Sequence, residues 1–222
     1  MKKSNKPKRE PLSRVWFLGR GFHPVPPTEY TDFKILYAHE SDLRFMNKYG
    51  HVVLPVFNPA NRSSKKNHGH GVPFMRHFAN RKCHILRALA FYGERTVYID
   101  EKTGKSYFGQ CHHLNADLED HRKDNLLAWL SRPAHKKADK RQKAMKEIAI
   151  DGNLVGFDYA VLRELQDPRT MSDADFENRM EYLRIMHDCD FDPRIFNAAR
   201  MHEFFAMPIP EFKKLMYHLK DE

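Results

Sequence analysis

The chain has 222 residues, 41% of them hydrophobic, and its net charge of +9 is uneven: from Asp151 onward nine Lys and Arg face fifteen Asp and Glu, leaving +15 for residues 1–150. A basic body beside an acidic tail predicts a polyanionic partner, nucleic acid above all, for the first part. No apolar run approaches the roughly 20 residues that span a bilayer, and MKKSNKPKREPLSR at the N-terminus lacks the apolar stretch of a secretory signal, so neither membrane insertion nor export is expected.

Residues 1–14, rich in Lys, Arg and Pro, read as a basic flexible arm able to lie along a phosphate backbone. TDFKILYAHESDLRFMNKYGHVVLPVF contains short β-prone pieces punctuated by Asn, Gly and Pro, and predicts two or three small strands. NPANRSSKKNHGHG is a basic, glycine-bearing loop by composition. The first half of VPFMRHFANRKCHILRALAFYG suits a strand, and CHILRALAF places Ile85, Leu86, Leu89 and Ala90 on one helical face. His84, within that helix, reads as a packed structural residue. ERTVYIDEKTGKSYFGQCHH predicts a turn leading into a strand that ends at His112 and His113.

Asn125 to Ser131, NLLAWLS, is a short apolar strand. Ser131 and Pro133 suit a helix start, and PAHKKADKRQKAMKE continues as a charged helix with His135 in its first turn. In the tail, Ser172 can cap TMSDADFENRMEYLRIM, with Asp175 in the reciprocal capping place. Asp192 and Pro193 suit the start of a further helix, DPRIFNAARMHEFF, and Phe212, Leu215, Met216 and Leu219 recur at helical spacing in PIPEFKKLMYHL. Such stripes read as core rather than recognition surface. The cysteines, Cys83, Cys111 and Cys189, stand singly without CxxC spacing, which argues against a disulfide framework and fits a reducing, cytoplasmic setting.

The stretch from Cys111 to His135 resembles the HNH, or His-Me finger, endonucleases. Their pattern is a residue–His pair closing one strand, a loop, an Asn-Leu step on the next strand, and a His or Asn on the following helix. Here these are His112-His113, Asn125-Leu126 and His135, with twelve residues from His113 to Asn125 and Trp129 just beyond. Upstream, YAHESDLRFMNKYGHVV and CHILRALAF resemble loose versions of the Y-x-VSN-x-G-x-V and HRLVA-x-AF segments of the phage and mobile-element subgroup related to homing endonucleases; Ile85 and Arg87 depart from the second. The likeness covers roughly residues 28–146, and nothing after about Asp151 is similar to that subgroup's DNA-reading repeats.

The resemblance implies an α+β protein: a small mixed N-terminal β region, a ββα-metal unit at about 105–146 within a nuclease domain over 15–150, and an acidic all-helical region over 151–222. The implied activity is metal-dependent hydrolysis of DNA phosphodiester bonds, nicking or cutting duplex DNA, in a bacterial or phage-infected cell. His113 is then the general base, and Asn125 holds the loop and orients the His113 ring. His112 and His135 would ligate a divalent ion (Mg, Mn, Ni or Zn), two imidazoles shifting preference away from Mg. His121 stands where many relatives carry Asn, and reads either as a solvated loop residue or as an accessory to the site. Ala116 holds a turn position where relatives carry glycine. The step from Asn125 to His135 is one residue longer than the commonest spacing, an excess that a bulge in LLAW would absorb.

Arg132, Lys136, Lys137, Lys140, Arg141 and Lys143 on the helix, with Arg62, Lys65 and Lys66 in the upstream loop, are expected to contact the DNA backbone. Two other readings stay open: a catalytically inactive HNH-fold nucleic-acid-binding protein, and an RNA-directed nuclease. The acidic helices are free at this point to dock a protein partner, to shield the basic body, or to complete the core.

Overall fold

The computed structural model describes residues 10–28, 35–53, 74–75 and 81–221. The chain divides into two compact units, Met1–Arg95 with Leu118–Lys123, and Thr96–Asp117 with Asp124–Glu222. The fold is α+β, with small antiparallel sheets and a helical C-terminal region.

In the first unit, helix α1 (Arg14–Leu18) is capped by Ser13, whose Oγ accepts from the Trp16 N–H at 3.2 Å. Strands β1 (Phe22–Val25), β2 (Leu36–His39), β3 (Phe45–Asn47) and β4 (Val52–Val53) pair antiparallel in that order. The strands expected after Thr31 are β2 to β4. Phe17, Phe22 and Tyr37 form a core, Phe17 stacking on Tyr37 at 3.7 Å between ring centres. A two-residue pairing of β5 (Phe74–Met75) with β6 (Arg81–Lys82) precedes helix α2 (Cys83–Tyr92).

Of the expected face of α2, Ile85, Leu86 and Leu89 are buried and Ala90 is partly buried; His84 and Arg87 are buried as well. A guanidinium survives there because it satisfies open carbonyls: Arg87 donates to those of His39 and Asp42, and from Nε to that of His121 at 2.6 Å. Burial pushes the Arg87 pKa down to about 10, against the pull of Asp42.

In the second unit, β7 (Val97–Ile99) and β8 (Ser106–Phe108) form a hairpin where the sequence suggested a turn leading into one strand. The Asp100 carboxylate makes it, accepting from the Lys102 and Thr103 N–H groups at 3.1 and 2.9 Å. Gly109 separates β8 from β9 (Gln110–His113); a Cβ there would stand 2.9 Å from the Cα of Trp129. β9 pairs antiparallel with β10 (Leu126–Leu130). The register runs Leu126 to His113 and Leu127 to His112, then Leu130 to Gln110, so one extra residue sits in β10. The expected bulge is therefore present in LLAW, with Trp129 at φ +56° and its carbonyl accepting from the Tyr98 hydroxyl at 2.7 Å.

Helix α3 (Arg132–Ile148) follows at once, with Ser131 Oγ accepting from the Ala134 N–H at 3.3 Å and Pro133 in the first turn. Helix α4 (Tyr159–Gln166), capped by Asp158, had no counterpart in the sequence reading. Helix α5 (Asp173–Asp188) starts with the expected reciprocal cap. There the Asp175 N–H donates to Ser172 Oγ at 3.1 Å, and the Ser172 hydroxyl donates to the Asp175 carboxylate at 2.6 Å. Asp192 and Pro193 start only a single 3-10 turn, because Phe196 is extended. Helix α6 (Ala198–Ala206) begins after Asn197, and α7 (Ile209–Asp221) follows.

These later helices complete the core of the strand–strand–helix element. Leu114, Leu127, Leu130, Ala138 and Met145 share one buried cluster with Val161, Leu165, Phe176, Met180, Leu183, Phe204, Phe212 and Met216. Of the stripe expected in α7, Phe212 and Met216 are fully buried and Leu219 is exposed. No helix among the described residues is long and apolar enough to cross a membrane.

Candidate metal centre

Side chains alternate along a strand, so adjacent histidines leave β9 on opposite faces. His112 faces α3. On that helix His135 and Asp139 are four residues apart and share a face. The Nδ1 of His112 lies 3.1 Å from Asp139 Oδ1, and the Nδ1 of His135 lies 3.0 Å from Asp139 Oδ2. The two rings stand edge to face at 5.4 Å. One ligand atom from each of His112, His135 and Asp139 falls within 4.8 Å of the others.

The side chain of His112 is 3% exposed, that of His135 23% and that of Asp139 52%, so the cluster is rooted in the core and opens to solvent at its carboxylate. Burial opposes charge on Asp139. Hydrogen bonds from His112 and His135, and the charge of the two rings, outweigh it and hold the carboxyl well below the ordinary carboxylate range. Two imidazole nitrogens and a carboxylate oxygen converge here. Neutral rings with unprotonated Nδ1 atoms would leave only acceptors facing one another. Protons or a cation must stand between them. Two histidines and one carboxylate, with solvent on the remaining side, suit a borderline dication such as Zn²⁺ or Mn²⁺.

His112 and His135 are thus brought together as expected. Asp139 was missed in the sequence, although its place four residues after His135 on a helix was a usable signal. Two glutamines were missed as well. Gln166 Oε1 lies 2.8 Å and Gln142 Nε2 3.2 Å from His112 Nε2. His113 is buried on the same strand, opposite Leu126, and is not part of the triad. Its carbonyl accepts from Gln142 Nε2 at 2.6 Å.

Asn125 is fully buried and straps the turn that follows β9: its Oδ1 accepts from the Asn115 N–H at 2.8 Å and its carbonyl from the Leu114 N–H at 2.9 Å. That accounts for its expected loop-holding part. The turn it holds contains Ala116 at φ +65°, the left-handed conformation that explains a glycine preference there.

His121 corrects the reading of a solvated loop residue. It belongs to the first unit, is fully buried, and its Nε2 faces the Leu118 carbonyl at 2.6 Å. Its ring lies 5.8 Å from that of His84.

The basic helix divides by environment. Arg132, Lys136, Lys140 and Lys143 are exposed, with the Arg132 guanidinium over the Tyr107 ring at 4.4 Å. Lys137 pairs with Asp173 at 2.7 Å. Arg141 is not a surface residue: it is 2% exposed, and its guanidinium donates to the carbonyls of Leu165, Asp167, Met171 and Ser172 and to the Asp173 carboxylate. The unsatisfied carbonyls at the end of α4 and before α5 draw it inward, so the expectation that it contacts DNA is corrected. Arg62, Lys65 and Lys66 lie outside the described residues. Compared with protein-family models, curated proteins and solved structures, the chain matches none of them.

Proposed function

We propose that this protein is a metal-dependent endonuclease of the HNH type that hydrolyses DNA phosphodiester bonds. The observation that carries the reading is the convergence of His112, His135 and Asp139, from the closing strand and the following helix of a strand–loop–strand–helix element, within 4.8 Å. His112, His135 and Asp139 would hold the ion. When bound, it supplies Lewis-acid stabilisation of the charge that develops on the phosphate and the departing alkoxide.

His113, next to His112 on β9 but on the strand's other face, serves as general base in this reading once its ring turns toward the ion: its imidazole then takes a proton from the attacking water, which bonds to phosphorus as the ester bond breaks. Asn125 keeps the segment after His113 in place through its two hydrogen bonds to Leu114 and Asn115. The exposed Lys136, Lys140 and Lys143 hold the sugar-phosphate backbone by charge, without reading sequence. The side-chain carboxylate of Asp139 is the open edge through which a phosphate oxygen and water approach.

Plasmid cleavage with Mg²⁺, Mn²⁺, Ni²⁺ or Zn²⁺ tests the reading against its two rivals. Wild type should cut. His113→Ala should lose roughly 10²- to 10⁴-fold in rate while still taking up metal, and His112→Ala should lose both. Binding without cutting under every metal favours the inactive DNA-binding protein; cutting of structured RNA but not of DNA favours the RNA-directed nuclease.

A further inference from the structure

Gln166 stands at the last turn of α4, fully buried, and reaches His112 from a helix that lies well beyond the strand–strand–helix element. Its amide has only one reasonable orientation. Gln166 Nε2 lies 2.8 Å from the Leu114 carbonyl, an acceptor only, so that atom must be the nitrogen; flipping the amide would set two oxygens against each other. Oε1 is then the atom 2.8 Å from His112 Nε2, and an amide oxygen can only accept. His112 must donate from Nε2.

Gln142 does not overturn this. Its Nε2 lies 3.2 Å from His112 Nε2, but 2.6 Å from the His113 carbonyl, 3.1 Å from that of Leu114 and 3.3 Å from Gln166 Oε1. An amide nitrogen has two N–H groups, and the carbonyl oxygens offer the shorter contacts. Gln142 also holds the backbone on both sides of the His113–Leu114 peptide, so the strand end that carries the ring is fixed together with the ring.

A neutral imidazole with its proton on Nε2 has its lone pair on Nδ1. That is the nitrogen turned to Asp139, at 3.1 Å. We infer that Gln166 is a positioning residue for the metal centre: it holds the proton of His112 on Nε2, so that Nδ1 faces Asp139 and His135 as a ligand atom. This inference rests on the metal-centre reading above and extends it, because it makes the acidic C-terminal region part of the site rather than an appendage. The opposite tautomer would put an N–H on Nδ1, satisfied by Asp139 and closed to a cation. Gln166 disfavours that competitor, which would set an unprotonated Nε2 against the amide oxygen at 2.8 Å. Partners of this kind, which orient a ligand without touching the ion, set metal affinity by about 10- to 100-fold.

The test uses the full chain with histidine ring nitrogens labelled with ¹⁵N, in excess Zn²⁺, because without a cation protons stand between the Nδ1 atoms and Asp139. In wild type His112 is expected as the Nε2–H tautomer. Gln166→Met, close in volume but without the amide, should shift His112 toward Nδ1–H and weaken Zn²⁺ uptake measured by titration calorimetry by about 10- to 100-fold. Gln166→Glu keeps the acceptor and should keep the Nε2–H form, while its second oxygen, set against the Leu114 carbonyl, lowers stability. Wild-type His112 as Nδ1–H overturns the inference whatever the variants do, including a variant that fails to fold. So does a Gln166→Met protein with an unchanged tautomer and unchanged Zn²⁺ affinity. Wild type that shows the Nε2–H form yet takes up no Zn²⁺ leaves the tautomer assignment standing and refutes the metal-centre reading instead.

Discussion

Ending the chain after Ile150 removes every residue of the acidic region while leaving the strand–strand–helix element intact in sequence. Of the twenty-four buried residues in the second unit's core, only six precede residue 151. Leu114, Leu127, Leu130 and Met145 are each 0–1% exposed within it. Exposing one such side chain fully costs about 1.5–3 kcal/mol, so four cost on the order of 6–12 kcal/mol. A domain's whole stability is about 5–15 kcal/mol. Even half of that exposure leaves β9, β10 and α3 with little margin. The loss of polar partners adds to it: Arg163 donates to the Leu126 carbonyl at 3.0 Å and Arg169 to that of Ala128 at 3.2 Å, covering carbonyls of β10. Hydrogen exchange read by mass spectrometry is the assay. In the 1–150 chain, amides of β10 and α3 should exchange at nearly unfolded rates, whereas the full chain protects them. Protection equal to that of the full chain would refute the reasoning and return the tail to a regulatory or partner-binding role.

Four further outcomes are expected. Ala116→Gly should stabilise the second unit by about 0.5–1 kcal/mol in denaturant titration, because the left-handed penalty of roughly 1–2 kcal/mol exceeds the entropy cost of glycine; a destabilised variant contradicts the strained turn. Lys140→Ala should leave the folding stability within about ±0.5 kcal/mol of wild type and reduce the salt slope of DNA binding by roughly one unit. Arg141→Ala should do the reverse, lowering stability by about 2–4 kcal/mol through the carbonyls it strands. Asp167, 5% exposed, has burial opposing its charge and the Arg169 hydrogen bonds overcoming it, so its folded pKa lies below 3.8. Its contribution is therefore present above that value and disappears as pH falls through the lower folded pKa. Acid titration of stability should show a slope below about pH 4 that Asp167→Asn flattens; an unchanged slope assigns the acid sensitivity elsewhere.

What was legible in the sequence was mostly local. Ser131 with Pro133, and Ser172 with Asp175, announce helix starts because the groups that satisfy the first N–H donors lie within three residues of them. The bulge in LLAW followed from a one-residue excess between Asn125 and His135, and the strained turn from an alanine in a glycine's place. What was missed depends on partners far along the chain. Arg141 and Lys140 look alike in sequence, yet only Arg141 meets the carbonyls near residues 165–172. His121 looks like a polar loop residue, yet Arg87 takes its carbonyl and its side chain is fully buried. Helix α4 carries only eight residues, too short for a clear apolar period, and its Gln166 gains a role only where it reaches His112 across 54 positions. The Asp192–Pro193 pair shows the opposite error, a good local start with nothing to continue it.

The most direct measurement is anomalous diffraction from crystals soaked in Mn²⁺. The account predicts one strong peak about 2.0–2.3 Å from His112 Nδ1, a His135 ring nitrogen and an Asp139 oxygen. No peak there, or one held by other residues while these three keep their direct contacts, contradicts it.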